Sequence, residues 1–433
     1  MMDYIEIIVL VVSFIILLAL GVPIAFSIGI SALLTMLVSI APEPAFTTLA
    51  QRLATGVDSF ALLAIPFFIL AGQLMNRGGI ASRLIDFAKV LVGTLPGGLA
   101  YVNIIACMLF GAISGSAVAA ASAIGGIMNP RMVKEGYSKP FSAAVNITSA
   151  TTGMIIPPSN ILIVYSLASG GVSIAALFVA GYVPGLIVGL SLMLVAGYIS
   201  HKKKYPVGDS VTFREMAEKF LHAIPSLLLL FIVIGGIIAG VFTATEASAI
   251  AVLYTLILSM VFYKQVKPKD LPDILIQTVI TTAIVMLLIG TSMGMSWVMS
   301  FENIPQSFSE ALLSISDNKF IVLIIINLIL LFVGIFMDMT PAVLIFTPIF
   351  LPVVTALGVD PTHFGIIMVL NLCIGLCTPP VGSVLFVGCG VADISISKVI
   401  KPLIPLFVAM VIALLLVTFV PELSLWLPGL FDL

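Results

Sequence analysis

Two short polar stretches, each with a Pro-Pro pair, interrupt apolar segments of this sequence and are the first candidates for chemistry. The first is TSATTGMIIPPSN at residues 148–160, and the second is NLCIGLCTPPVGS at residues 371–383. Proline inside a helix removes a backbone hydrogen bond and costs about 3 kcal/mol. The freed carbonyls, with Ser and Thr hydroxyls, are hard oxygen ligands that suit a small alkali cation. The exposed N-termini of half-helices suit an anionic substrate, and Asn160, directly after the first break, is a plausible amide contact.

Two further polar points divide long apolar segments, residues 94–128 and residues 320–356. The first is Ser114-Gly115-Ser116, and the second is MDMTP at residues 337–341. At about 1.5 Å per residue, two full crossings of a core about 30 Å thick would be marginal in segments of this length. We therefore expect two re-entrant hairpins, each entering and leaving on one side of a membrane, with the polar points as their tips.

Each polar group also has a purely structural interpretation. Ser and Thr in membrane helices often bond back to the preceding turn, and small residues often serve close helix packing. Asp338 lies either near a cation or at a cap of the following half-helix, with Thr340 as N-cap and Pro341 as the first helical residue. For Glu246, which follows Thr243, helix capping is the favoured interpretation. Paired breaks at equivalent positions favour a binding site over separate structural roles.

The composition sets the class of protein that must position these groups. Hydrophobic residues make up 61% of the 433 positions, charged residues only 9%, and the mean hydropathy is +1.27. The apolar runs are long and do not alternate, so the chain is an all-α polytopic membrane protein rather than a β-barrel. No Cys/His spacing resembles a metal site and no nucleotide fingerprint is present, so we expect neither an enzyme nor a nucleic-acid partner.

An internal repeat relates the two halves of the chain at a separation of 222 residues. The matched residues are the helix breakers, which are the least expected to align by chance in an apolar sequence. The matches, which need no gap, are Pro130 with Pro352, Gly136 with Gly358, Gly153 with Gly375, and Pro157-Pro158 with Pro379-Pro380. The duplication predicts two structurally equivalent halves, each with one hairpin and one broken helix.

The charges predict that the two halves have opposite orientations in the membrane. The loop after Pro130 carries Arg131, Lys134 and Lys139, whereas the loop after Pro352 has no Lys or Arg. Because Lys and Arg are enriched in cytoplasmic loops, equivalent loops face opposite sides, and the repeat is inverted. This topology places sixteen of the eighteen Lys and Arg residues on the cytoplasmic side, all except Arg52 and Lys319. It also places both termini in the periplasm.

We predict five regions along the chain. The regions are N-terminal scaffold helices with an interfacial amphipathic helix (1–93), a first transport repeat with hairpin and broken helix (94–170), scaffold helices with a cytoplasmic connector at 201–220 (171–319), a second and inverted transport repeat (320–391), and a C-terminal helix (392–433). Transporters built from inverted repeats bind their substrates near the bilayer midplane, where such breaks meet.

The order and spacing of five motifs resemble the large membrane subunit of TRAP transporters, the DctM/SiaM-type permease, over essentially the whole chain. The motifs are AIPFFILAGQLMNRGGIASRLIDFA (64–88), GAISGSAVA (111–119), IPPSN (156–160), GVFTATEASA (240–249) and CTPPVG (377–382). The resemblance implies a multi-pass permease of the bacterial inner membrane with an elevator-like movement, of the architecture shared by the ion-transporter superfamily. It also implies sodium-coupled import of small carboxylates, with a small four-helix DctQ/SiaQ-type subunit and a periplasmic DctP/SiaP-type binding protein as partners in the lipid bilayer and periplasm.

The resemblance also implies two Na+ sites at the hairpin tips and the adjacent breaks. Carried onto this sequence, the sodium residues are Ser114, Gly115, Ser116, Thr151, Thr152 and Gly153 in one half, and Asp338, Thr340, Gly375 and Thr378 in the other. We expect substrate contacts beside them, at Ser116, Pro158, Ser159, Asn160, Thr340 and Pro380. Family members often carry a hydrophobic residue where this chain has Asn160, which favours a more polar acid such as a sugar acid over other carboxylates.

Three other functions remain open from the sequence. A stand-alone divalent-anion/sodium symporter of similar hairpin architecture would transport free substrate without a binding protein. A channel would conduct without dependence on a sodium gradient. A membrane-embedded enzyme would need a catalytic dyad or metal cluster, and the sequence displays neither. Sialic acid, other sugar acids and C4-dicarboxylates all remain candidate substrates.

Overall fold

The computed structural model describes residues 5–206, 213–316 and 318–433, and these ranges are helical with no β-strand. Six positions of the predicted connector at 201–220, residues 207–212, lie outside the described residues. The first half comprises α1 (Ile5–Ala19), α2 (Ile24–Ser39), α3 (Pro42–Gly56), α4 (Ala64–Arg77), α5 (Ile80–Val92), α6 (Gly98–Ser114), α7 (Ala117–Lys134), α8 (Lys139–Ala150), α9 (Asn160–Ala168) and α10 (Ile174–Lys202). The second comprises α11 (Phe213–Ile238), α12 (Ala244–Ile257), α13 (Leu271–Phe301), α14 (Ile304–Ile315), α15 (Lys319–Phe336), α16 (Met339–Ala356), α17 (Pro361–Gly375), α18 (Ser383–Val391), α19 (Ile396–Phe419) and α20 (Glu422–Gly429).

The described helices are those of a membrane protein. Within the described ranges, eight helical stretches are long and apolar enough to cross a bilayer. Large apolar side chains such as Leu194 and Phe231 remain about three-quarters exposed, and a lipid-facing surface accounts for them because hydrocarbon, unlike water, carries no penalty for apolar contact. The chain is therefore an all-α polytopic membrane protein, as its composition predicts.

The predicted duplication is present in the structure and extends beyond the matched prolines. Helices α7 and α16 begin 222 residues apart, at Ala117 and Met339, and each contains a proline in its last two turns. Ser173 and Ser395 are the N-cap residues of α10 and α19 at the same separation. The order of helices from α1 to α10 thus recurs from α11 to α19, with α3 and α4 matched by the single long α13.

Each half contains the predicted hairpin. Helices α6 and α7 are joined only by Gly115, which has φ +60°, and Ser116, whose side chain accepts a hydrogen bond from the Ala119 N–H at 3.2 Å. The second hairpin joins α15 to α16 through Met337 and Asp338. Because Asp338 occupies the N-cap position and α16 already begins at Met339, the prediction of Thr340 as N-cap and Pro341 as first residue is wrong.

The broken helices of the two halves interlock. Helix α8 ends at Ala150, a short 3₁₀ turn covers Thr152–Met154, and α9 resumes only at Asn160. A cis peptide bond joins the two prolines in each break. Helix α9 packs on α16 of the other half, and α18 packs on α7. At the centre, the Cys373 thiol contacts the Thr151 carbonyl oxygen at 3.4 Å, so equivalent positions of the two breaks meet each other.

Glycine allows each hairpin to approach the broken helix of its own half. A Cβ on Gly153 would lie 2.3 Å from the Gly111 Cα, and one on Gly375 would lie 2.6 Å from the Gly334 Cα. Real Cβ atoms do not reach such distances, so these backbones are in direct contact because neither partner has a side chain. The contact fixes each tip at the depth of a helix break.

Scaffold helices surround this centre. Helix α5 follows α4 after Gly79, which has φ +71°, and buries one face while its opposite face carries Arg83 and Lys89. Helix α5 is therefore amphipathic, and its position at the membrane interface stays a prediction. At the start of α12, Thr243 and Glu246 form a reciprocal capping box, so capping is the role of Glu246.

Candidate functional site

Both hairpin tips open onto one cavity of about 440 Å³. The first tip contributes Ser114, Gly115 and Ser116, and the second contributes Asp338 and Thr340. Side chains after the two helix breaks, Asn160 and Ser383, and scaffold residues of α4 and α13 complete its wall. The two tips come from different halves of the chain and meet at this single cavity.

Four helices begin at the wall of this cavity. They are α7, α9, α16 and α18, whose first residues Ala117, Asn160, Met339 and Ser383 all line it. The first N–H groups of a helix have no partner within the helix, and each N-terminus carries about half a positive charge. The described lining residues include no Lys or Arg, and their one carboxylate is Asp338. The arrangement can therefore hold an anion without a cationic side chain and a cation at the acid.

Three polar atoms of the cavity wall are buried without a hydrogen-bond partner. They are Ser114 Oγ, Asn160 Oδ1 and Ser383 Oγ, and they come from three different elements. A buried polar atom without a partner costs about 1–3 kcal/mol, so such atoms are rare and need an explanation. These three atoms are therefore candidates to bind a polar ligand in the cavity.

The first tip and the Asn160 side chain touch each other. A Cβ on Gly115 would lie 2.9 Å from Asn160 Nδ2, and the φ of Gly115 favours glycine independently. The position of the Asn160 amide is therefore set by the hairpin, and the amide oxygen is left at the cavity wall.

The predicted sodium residues fall into two groups. Five of them line the cavity: Ser114, Gly115, Ser116, Asp338 and Thr340. The other five lie behind it, within the breaks: Thr151, Thr152, Gly153, Gly375 and Thr378. Three hydroxyls of this second group bond back to the preceding turn, to the carbonyls of Thr148, Ser149 and Ile374. Their carbonyl oxygens, rather than their hydroxyls, are the ligands that they offer to a cation.

The predicted substrate residues are also divided by the structure. Ser116, Asn160 and Thr340 line the cavity, whereas Pro158, Ser159 and Pro380 do not. The Ser159 hydroxyl is buried and donates to the Met154 carbonyl at 2.5 Å, which leaves it committed to the break itself. For these three residues the structure indicates a part in shaping the break.

Sequence reasoning missed the scaffold side of the cavity and one residue of the second break. Gln73 and Asn76 on α4, Thr281 on α13 and Ser383 on α18 all line it. Gln73 and Asn76 are three residues apart in an otherwise apolar span, a spacing that places both on one helix face and could have identified them. Ser383 directly follows the second break, nearly where Asn160 follows the first, and the repeat could have found it.

Comparison with known proteins gives two kinds of match. The family model described as "Tripartite ATP-independent periplasmic transporter, DctM component" matches residues 11–423. A Salmonella typhimurium protein named "Uncharacterized protein YgiK" is 58% identical over 98% of each chain. The "C4-dicarboxylate TRAP transporter large permease protein DctM" of Pseudomonas aeruginosa is 40% identical, over 93% of this chain and 94% of its own.

Among solved structures, the crystal structure of the Alcanivorax borkumensis YdaH transporter, described as having an unusual topology, matches with a TM-score of 0.64. The alignment covers 89% of each chain at 13% identity. Similarity at this level of identity concerns the fold alone, and it agrees with the helical polytopic architecture described above.

Proposed function

The chain belongs to the DctM family, the large permease component of tripartite ATP-independent periplasmic transporters, and from this premise we propose that it imports hydroxylated organic acids together with sodium ions. Members of this family are transporters and not enzymes. The observation that carries the proposal is the convergence of both hairpin tips and four helix N-termini on one cavity.

An acid in this cavity is held by N–H groups and neutral side chains. Four partial positive charges at the helix N-termini attract its carboxylate, and Ser114, Asn160 and Ser383 supply the polar atoms that lack partners. Because the described lining residues include no Lys or Arg, a bound anion meets no cationic side chain among them, and a cation that enters with it supplies the balancing charge. That balance supports coupling to sodium.

The sodium ion binds at the hairpin tips. Asp338 offers a carboxylate at one tip, while Ser114 and Gly115 offer backbone carbonyls at the C-terminal end of α6, where helical pairing ends. Na+ prefers hard oxygen ligands, and the carboxylate and carbonyl oxygens named here are ligands of that kind. The breaks behind the tips add the carbonyl of Thr152 and, in the other half, the carbonyl of Thr378, whose hydroxyl donates to the Ile374 carbonyl.

The substrate is an acid with hydroxyl groups, such as a sugar acid. The unpartnered oxygens are acceptors or hydroxyls, and Gln73, Asn76 and Thr281 add three more polar side chains to the wall. Of the unpartnered atoms, the Asn160 amide oxygen can only accept a hydrogen bond, so a plain C4-dicarboxylate, as named for the Pseudomonas aeruginosa relative, would leave it without a donor. A site built to hydrogen-bond a hydroxyl discriminates strongly against an analogue that lacks it.

Transport proceeds by an elevator movement in the bacterial inner membrane. Each hairpin is fixed to its broken helix through glycine contacts, and the two halves interlock, so hairpins and breaks move as one body. Helices α4 and α13 form the facing wall of the cavity and remain with the scaffold. As part of a tripartite system, the chain works with a small DctQ-type membrane subunit and a DctP-type periplasmic binding protein.

Uptake into proteoliposomes tests the proposal. The chain is reconstituted with its small subunit, and a labelled sugar acid is supplied with the cognate binding protein under an inward sodium gradient. We expect accumulation only with both the gradient and the binding protein, and at least tenfold slower uptake of succinate, which has no hydroxyl. Uptake of free substrate without binding protein would instead indicate the stand-alone symporter, and uptake without sodium would indicate a channel or uncoupled carrier.

A further inference from the structure

A second pocket, of about 580 Å³, lies on the face of the molecule that the charges assign to the cytoplasm. It is formed by α5, by the first turns of α11 and by the segment that follows α12. Its polar wall contains Arg83, Lys219 and His222, with Asp86 as the one carboxylate among the described lining residues. With a neutral His222, the wall carries a net charge of about one positive unit, which matches one phosphodiester.

Arg83 is held in place before any ligand binds. Its guanidinium lies 3.5 Å above the ring of Tyr263, and Nη1 donates to the Gly79 carbonyl at 2.8 Å. Tyr263 is in turn fixed by its hydroxyl, which lies 3.0 Å from Ser226 Oγ. Neither Arg83 nor Lys219 pairs with a carboxylate within the described residues. A pre-positioned guanidinium with unused N–H groups is a typical partner of a phosphate.

The outer margin of the same pocket is apolar and open to the bilayer. Leu221 and Phe262 line it and are 62% and 71% exposed. Beside it, the rings of Phe87 on α5 and Phe220 on α11 pack with their centroids 5.8 Å apart. An anion at Arg83 and Lys219 would therefore lie next to an apolar surface. The acyl chains of a phospholipid can pack on that surface, whereas a free anion has no group that can.

We propose that this pocket binds the headgroup of an anionic phospholipid of the inner leaflet, with its acyl chains along Leu221 and Phe262. Basic pockets between membrane helices on the cytoplasmic side are suited to such headgroups. Helix α5 packs on α6 of the first hairpin and on α11, so the lipid joins the interfacial helix beneath the moving hairpin to the scaffold. The lipid is a structural ligand of the scaffold, separate from the substrate cavity.

Native mass spectrometry of the purified full chain, in micelles with equal phosphatidylglycerol and phosphatidylcholine, tests this. We expect the wild type to retain phosphatidylglycerol preferentially and R83Q/K219Q to lose at least tenfold of that affinity. K219Q alone, which keeps the Arg83–Tyr263 contact, is expected to lose about fivefold. The control K398Q/K401Q removes two basic residues from α19, outside the pocket, and is expected to stay within twofold of wild type.

Three results would overturn the proposal. One is equal retention of phosphatidylglycerol by the wild type, R83Q/K219Q and the control. Another is displacement of phosphatidylglycerol by 10 mM inorganic phosphate alone, which would make this a free-anion site. The third, measured on the chain co-purified with its small subunit, is loss of that subunit from R83Q/K219Q with unchanged lipid retention, which would make the pocket a protein interface.

Discussion

At the scale of single residues, some polar side chains of the apolar segments have a hydrogen-bond partner and others have none. Ser116 caps α7, Glu246 caps α12, and Thr151 bonds back within its own helix, so each has a structural partner. The hydroxyls of Ser114 and Ser383 have none, although both oxygens are buried. Sequence alone could predict the capping by Glu246, because that depends on neighbours three residues away. It could not separate satisfied from unsatisfied hydroxyls, because that depends on contacts between distant segments.

Thr340→Ala tests the sodium site at the second hairpin tip. The change removes one oxygen from the cavity wall, and a hydrogen bond or ligand of this kind contributes about 1 kcal/mol net. We therefore expect about a fivefold rise in the sodium concentration that gives half-maximal uptake, measured in proteoliposomes with saturating substrate and binding protein.

The matched control lies on the same helix. Thr355→Ala removes an exposed hydroxyl that donates to the Leu351 carbonyl at 2.8 Å, at the far end of α16 from the tip. It should leave the sodium dependence within twofold of wild type. An equal shift in both variants would assign the effect to α16 as a whole, and no shift in Thr340→Ala would remove Thr340 from the sodium ligands.

At the scale of elements, the hairpins and breaks were predictable and their mutual packing was not. Proline, glycine and the repeat locate both breaks and both tips, since these residues act on their own backbone. The α16 start was placed two residues too late, because an aspartate can occupy an N-cap position as well as a threonine. Helix α9 of the first half packs on α16 of the second, and α18 of the second half packs on α7 of the first. No local signal in the sequence predicts these contacts, because they depend on how distant segments pack.

Gly153→Ala tests whether contact between hairpin and break carries function. The added Cβ would lie 2.3 Å from the Gly111 Cα, so α6 must move away from the break and take its tip with it. Overpacking of this kind costs roughly 1–3 kcal/mol. We expect a lower melting temperature in detergent and at least a tenfold loss of sodium-driven uptake.

Gly126→Ala is the control, because a Cβ at this position of α7 meets no atom within 4 Å. Alanine in an open helical position stabilises by about 0.5–1 kcal/mol, so this variant should be at least as stable as wild type and fully active. Normal uptake by Gly153→Ala would mean that the hairpin tip does not depend on this contact.

At the scale of the whole molecule, the repeat explains why the site lies where it does. Two copies of one unit share a centre, and at that centre Cys373 meets Thr151, its equivalent in the other half. The helix N-termini of both copies therefore converge on one cavity, which a single copy would only half enclose. The sequence could predict this convergence from the repeat and the charges. It could not predict the scaffold wall, since Gln73 and Thr281 lie outside the hairpins and breaks.

Opposite orientation of the two halves is open to a direct test at the ends of α7 and α16. Lys134 and Ala356 are equivalent positions, both exposed, and neither has the positive φ of the glycines two residues further on. The four native cysteines are buried, which leaves an engineered thiol as the accessible one among the described residues. In whole cells, a membrane-impermeant maleimide should label Ala356→Cys and should label Lys134→Cys only after the membrane is opened. The charges predict a cytoplasmic position for Lys134, beside Arg131, whereas the loop after Ala356 carries Asp360 and no Lys or Arg. Labelling of both cysteines from the same side would make the repeat parallel, and the two tips could then no longer approach one cavity from opposite faces.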